Sequence, residues 1–182
     1  MSTQQRHILS VLVENKPGVL SRVTGLVSRR GFNIESLSVG PTEDQTLSRL
    51  TIIMIADDVA YEQITKQLHK LISVHKITDL TQEQAIEREL VLFKVHANPE
   101  RRSEIIEIAN IFRASIIDVS VASLTLAVIG DESKAEAIQN LLREFGILEL
   151  VRTGMVALER GQFTIDEQTK VKGEYDYGKN VL

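Results

Sequence analysis

The sequence predicts an α+β protein made of two consecutive ferredoxin-like domains, each running βαββαβ. Three observations predict it. Short apolar runs rich in β-branched residues alternate with segments whose apolar residues recur at helical spacing. The order strand-helix-strand-strand-helix-strand occupies residues 1–80, and after a polar, charged stretch at 81–89 the same order returns over residues 90–160.

In the first unit, Ile8 to Val13 is an apolar run of strand length closed by the turn residues Asn15-Lys16-Pro17-Gly18. Val19, Leu20, Val23, Leu26 and Val27 then recur as on one helix face, with Pro17 suited to the first turn and Gly31 to the stop. Phe32 to Val39 reads as a strand whose alternation breaks between Ile34 and Leu37, the mark of a bulge, and Gly40-Pro41 ends it. Leu47 to Ile55 is a third strand. Tyr61, Ile64, Leu68, Leu71 and Ile72 form a second helical stripe, and Val74 to Leu80 is the closing strand.

In the second unit, Leu90 to Ala97 begins a strand, and Ile105, Ile108, Ala109 and Phe112 mark a helix. Ile116 to Val121 and Leu124 to Ile129 are two strands, Ile138, Leu141, Leu142 and Phe145 mark another helix, and Ile147 to Leu158 is a final strand region. From residue 161 to 182 apolar residues thin out and Gly161, Gly173 and Gly178 break any pattern, so this segment is expected to be a tail.

Composition excludes several function classes. With 25 acidic against 21 basic residues the net charge of −4 offers no long-range attraction for nucleic acid or an anionic membrane. The pairs Arg29-Arg30 and Arg101-Arg102 are expected on solvated helix faces. There is no cysteine, which removes disulfides and thiolate chemistry. The polar start, Met1 to His7, and the short apolar run after it predict neither a signal peptide nor a membrane span, and a cytoplasmic location. His7, His69, His75 and His96 lack metal-ligand spacing, no glycine-rich phosphate loop appears, and no nucleophile is fixed beside Glu14, so neither a metal site nor independent catalysis is expected. RNA-binding domains share the βαββαβ order, but they stack bases on sheet aromatics, and Leu50 to Met54 supplies aliphatic residues there.

The most informative stretch is Glu14 to Val23, which sets an Asn-Lys-Pro-Gly turn between a strand and a helix start. Backbone N–H groups at Gly18, Val19 and Leu20 suit the carboxylate of a free amino acid, assisted by the helix dipole. Gly18 lets a ligand approach the backbone. Asn15 and Asn33, the latter followed by Ile34 at the start of an edge strand, provide amides that both donate and accept, as an ammonium and a carboxylate require. Each has an ordinary alternative: Asn15 as a cap or turn residue, Gly18 as a turn glycine.

Those residues carry a resemblance. Ile8-Leu9-Ser10-Val11-Leu12-Val13-Glu14-Asn15 with Pro17-Gly18-Val19-Leu20-Ser21-Arg22-Val23, then Arg30-Gly31-Phe32-Asn33-Ile34-Glu35-Ser36-Leu37, closely resembles the small subunits of acetohydroxyacid (acetolactate) synthase. Leu47 to Ile52, Lys66 to Leu71, Glu87 to Leu90 and Ile116 to Val119 are similar to later segments of that family, so the likeness spans residues 6 to 160. Pro17 departs from the small polar residue that some members carry.

The resemblance implies that the first domain is an ACT domain that forms a homodimer and binds a branched-chain amino acid, usually valine, at the dimer interface. Asn15, Gly18, Val19 and Leu20 match the effector loop, and Asn33 and Ile34 match the strand facing it. It further implies a non-catalytic, cofactor-free regulatory subunit that activates a separate thiamine-diphosphate-dependent catalytic subunit and confers feedback inhibition on isoleucine, leucine and valine synthesis. The alternative is a free-standing ACT sensor serving another enzyme.

Overall fold

A computed structural model of the chain describes residues 4–81, 85–161 and 164–165. The first unit contains β1 (Gln5–Glu14), α1 (Val19–Arg29), β2 (Ile34–Pro41), β3 (Leu47–Ala56), α2 (Asp58–Leu68) and β4 (Val74–Asp79). Its sheet is antiparallel in the order β2-β3-β1-β4, so β2 is an edge with a single neighbour. Side chains alternate across a strand. Leu9, Val11 and Val13 of β1 and Leu50, Ile52 and Met54 of β3 therefore meet Val19, Val23, Val27, Ile64 and Leu68 of the two helices in one core.

The second unit repeats the pattern with β5 (Ala85–His96), α3 (Arg102–Ile111), β6 (Ser115–Val119), β7 (Ser123–Gly130), α4 (Glu132–Leu142), β8 (Ile147–Arg152) and β9 (Val156–Glu159). Its strands lie in the order β6-β7-β5-β8, and Val91, Phe93, Val95, Leu124, Leu126 and Val128 pack on Ile105, Ala109, Ile138 and Leu142. Two ferredoxin-like βαββαβ units are thus present, as the sequence predicts.

The differences lie where strands meet partners distant in sequence. Of the segment 81–89 expected as a linker, residues 85–89 are strand: Ala85 to Arg88 extend β5 and pair with β9. The single final strand expected over 147–158 is two strands parted at Gly154, whose φ of +80° turns the chain. The second helix stops at Leu68, leaving Ile72 almost fully exposed at 99%. Arg102 does not lie free on a solvated face; its guanidinium donates to the carbonyls of Ser120 and Val121 at 2.8 and 2.6 Å. Most of the expected tail lies outside the described residues; within it Ile165 is buried.

The β5–β9 ribbon lies on the face of the first sheet that the helices leave bare. Ile8, Ile53 and Leu80 of the first unit form a small core with Met155 and Ala157, and Ala85 packs against it. The Ala157 N–H points to Thr51 Oγ1 at 3.4 Å, and Met155 N–H donates to Ser36 Oγ at 2.9 Å. The first sheet is thereby covered on both faces. This explains why β1 is buried without a break from His7 to Val13, Ser10 included, whereas β7, with one face open, alternates.

Candidate functional site

The loop between β1 and α1 is braced by the neighbouring hairpin. Asn15 N–H donates to the Thr46 carbonyl at 2.7 Å, and its side-chain amide donates to the Gln45 carbonyl at 2.9 Å. That hairpin turn is itself tied by Asp44, which accepts from Thr46 N at 2.8 Å and Thr46 Oγ1 at 2.7 Å. The Thr46 hydroxyl and amide hold the Asp44 carboxyl below its usual range. The sequence reading missed these residues, although Asp44 two positions before Thr46 is the spacing of an Asx turn. Asn15 therefore serves at least the turn role weighed for it.

Gly18 is the N-cap of α1, with φ +82° and ψ −9°, and the helix begins without a side-chain cap and without an acidic residue in its first turn. Two of the other helices differ: Asp57 caps α2 through Ala60 N at 2.8 Å, and Asp131 caps α4 through Lys134 N at 2.9 Å; α3 also lacks a side-chain cap but carries Glu104 in its first turn. The Val19 N–H makes a long turn bond of 3.3 Å to the Lys16 carbonyl. A Cβ on Gly18 would meet nothing within 4 Å, so the space before the helix start is open. Orphan N–H groups, the positive end of the dipole and open space together suit a carboxylate. Val19 turns into the core, while Leu20 is partly exposed at 38%.

Asn33 and Ile34 are elsewhere. Asn33 is exposed just ahead of β2, and Ile34 pairs with Met54, which in turn pairs with His7. Glu14, which leads into the loop, pairs with Leu47 at the other end of the same strands. Seven residues of β1 separate the two levels, about 23 Å at 3.3 Å per residue. One chain brings together Asn15, Gly18, Val19 and Leu20, and separately Asn33 and Ile34, but not the two groups.

His7 is a buried structural residue: its Nε2 lies 3.1 Å from the Ala56 carbonyl and its ring stacks on Tyr61 at 3.9 Å. Among the described residues no cluster of three or more His, Asp or Glu is placed to hold a metal, and no helix is long and apolar enough to cross a membrane.

A βαββαβ sheet with a glycine-started helix at one end and an unpaired edge strand is the frame of an ACT domain, and residues 9–76 match the family model described as the AHAS small subunit-like ACT domain. Residues 88–161 match the model described as the small subunit of acetolactate synthase. The chain is 57% identical over 156 residues to a probable acetolactate synthase small subunit of Archaeoglobus fulgidus, covering 86% of this chain and 98% of that one. It is 51% identical over 161 residues to the acetolactate synthase small subunit of Haemophilus influenzae, covering 88% and 99%. Among solved structures it is similar to the acetolactate synthase small subunit from Thermotoga maritima, at a TM-score of 0.81 and 44% identity over 87% of this chain and 99% of that one. The chain belongs to the acetolactate synthase small-subunit family.

Proposed function

We propose that this chain is the regulatory subunit of a cytoplasmic acetolactate synthase, raising the activity of a thiamine-diphosphate-dependent catalytic subunit and making it sensitive to a branched-chain amino acid, with valine first among the candidates. Family membership supports the partner. The observation that carries the sensing role is the start of α1 at Gly18, which no side chain among the described residues caps and which suits an anion.

In this reading the amino acid binds between two copies. Asn15, Gly18, Val19 and Leu20 of one protomer hold the carboxylate, while Asn33 and Ile34 of its partner face the ammonium and side chain. The separation of the two groups within one chain supports this, because a two-fold axis beside edge strand β2 brings opposite ends of the two sheets together. The effector then inhibits by favouring one arrangement of the complex, with a coupling of about 1–3 kcal/mol. Valine, leucine and isoleucine differ by a methylene or its position, worth about 1–3 kcal/mol in a pocket.

The test is acetolactate formation by the same organism's catalytic subunit, with and without this protein and with valine titrated in. Stimulation that valine reverses is the expected result. Stimulation indifferent to valine keeps the subunit and moves the effector to leucine, isoleucine or nothing. Absence of stimulation removes the catalytic partner and leaves the free-standing ACT sensor.

A further inference from the structure

The bulge predicted in β2 is present, and it sits at the junction of the two domains. Pairing with β3 shifts between Ile34, opposite Met54, and Ser36, opposite Ile53, which leaves Glu35 as the extra residue. Bulges re-aim side chains. Glu35 lies beside Arg6, whose guanidinium also contacts Glu87 at 3.3 Å and Glu132 at 3.7 Å in the second domain. Ser36 Oγ accepts the N–H of Met155 at 2.9 Å.

The tightest approach is at Gly154. A Cβ there would lie 3.0 Å from Ser36 Oγ and 3.1 Å from the Leu37 carbonyl oxygen, so the β8–β9 turn runs directly against the β2 backbone. Beside this contact is a cavity of about 330 Å³ lined by Arg6, Glu35, Ser36, Gly154 and Met155, among others. The contact therefore has room to rearrange on one side.

Other contacts between the domains fall on β1 and β3, through Ile8, Ile53 and Thr51, and on Leu80 just past β4. β1 and β3 have a neighbour on each side, whereas among the described residues β2 pairs with β3 alone, as β4 does with β1. Of β1, β2 and β3, β2 is thus the least restrained. It also begins at Ile34, two residues before Ser36.

We infer that the Gly154 turn, gripping the β2 bulge at Ser36, is the contact through which occupancy of the effector site reaches the second domain. The inference rests on the regulatory reading above and adds where its signal leaves the ACT domain. Ser36 and Gly154 act as positioning residues, because neither needs to touch the effector. An effector that draws Asn33 and Ile34 toward the facing loop pulls on a strand segment that bears, through Ser36 and Leu37, on the turn between β8 and β9.

Coupling is reciprocal: if the effector changes the complex, assembly with the catalytic subunit changes effector affinity by the same factor. The experiment measures valine affinity of the full chain, free and assembled with the catalytic subunit, for wild type, Gly154→Ala and Ser36→Ala. Gly154→Ala drives a methyl into β2 and strains the turn. Ser36→Ala removes only the hydroxyl that receives Met155 N–H, and serves if the first variant does not fold.

Expected is a wild-type ratio of assembled to free affinity differing from one by about fivefold or more. In the variants the ratio approaches about one while the free protein binds valine as before. Variants that keep the wild-type ratio overturn the inference, as do variants that no longer bind valine when free, which makes the contact part of the binding site. A wild-type ratio of one also overturns it. Failure of the regulatory reading is separate: wild-type protein that binds none of valine, leucine or isoleucine ends that reading and this inference with it.

Discussion

Gly18 is the residue whose role the sequence suggested most directly, and its geometry makes a sharp test. A side chain there has open space, so Gly18→Asp should leave the fold intact apart from the cost of a positive φ, about 1–2 kcal/mol at most for a residue tolerant of that region. It sets a carboxylate at the helix start where the effector's own carboxylate is proposed to bind. Titration calorimetry should show valine binding abolished with stimulation of the catalytic subunit retained; undiminished valine sensitivity would remove the loop from the mechanism. Glu89 is a residue that sequence could not single out, since its burial depends on the second domain folding over it. Burial pushes its carboxyl pKa up, Arg152 at 3.3 Å pulls it down, and Glu132 pushes it up again, with a net rise. A folded pKa above the unfolded value means the folded state holds the proton more tightly, so its contribution is most favourable at low pH and is lost as pH rises through the folded pKa. Glu89→Gln should therefore gain stability relative to wild type as pH is raised from about 4 to about 7. A difference between their unfolding midpoints that stays constant over that range would show that Glu89 ionises without cost.

At the scale of elements, most of the fold was legible because it is written in local periodicity. The helix of Val19, Val23 and Val27, its stop at Gly31 and the bulge after Ile34 all depend on neighbours within a few residues. What was not legible depends on partners far along the chain. Ala85 to Arg88 look like linker because they lie in the largely polar and charged stretch 81–89 between apolar runs; they become strand by pairing with β9 some seventy residues later. The apolar residues Ile8 and Leu12, on the face of β1 opposite Leu9, Val11 and Val13, were the available clue that something covers the sheet's second face, but they did not say what. Two substitutions test the element-level account. Asp57→Ala removes the side chain that caps α2 at Ala60 N and should cost about 0.5–2 kcal/mol, read from denaturant unfolding. Phe93→Ala empties a fully buried position between β5 and its helices and should cost about 3–5 kcal/mol. If the two domains unfold in separate steps, the Phe93 variant should move the step belonging to the second domain. Equal losses from the two substitutions would contradict the packing described for β5.

At the scale of the whole molecule, the residues proposed to hold the effector fall in two groups that one chain does not join. The Gly18 loop and Asn33 mark opposite ends of one sheet, and no loop closure within the chain brings them together without dismantling β1–β3 pairing. The sequence named the residues of both halves, but their separation became visible only with the strand register. If the site forms between protomers related by a two-fold axis, each dimer has two sites, and each site takes its loop from one copy and its strand from the other. Consider Gly18→Asp, defective in the loop, and Asn33→Ala, defective in the strand. Each homodimer should respond poorly to valine. In a mixed dimer, one site combines both defects, while the other combines an intact loop with an intact strand. Random mixing of equal amounts makes about half the dimers mixed and about a quarter of all sites intact, so unfolding and refolding the two variants together should restore valine binding to roughly that fraction. A site built within one chain gives no such recovery, because every chain in the mixture carries a defect. Recovery that depends on mixing before assembly, and disappears when the two preformed homodimers are combined without exchange, assigns the effector to the interface between copies.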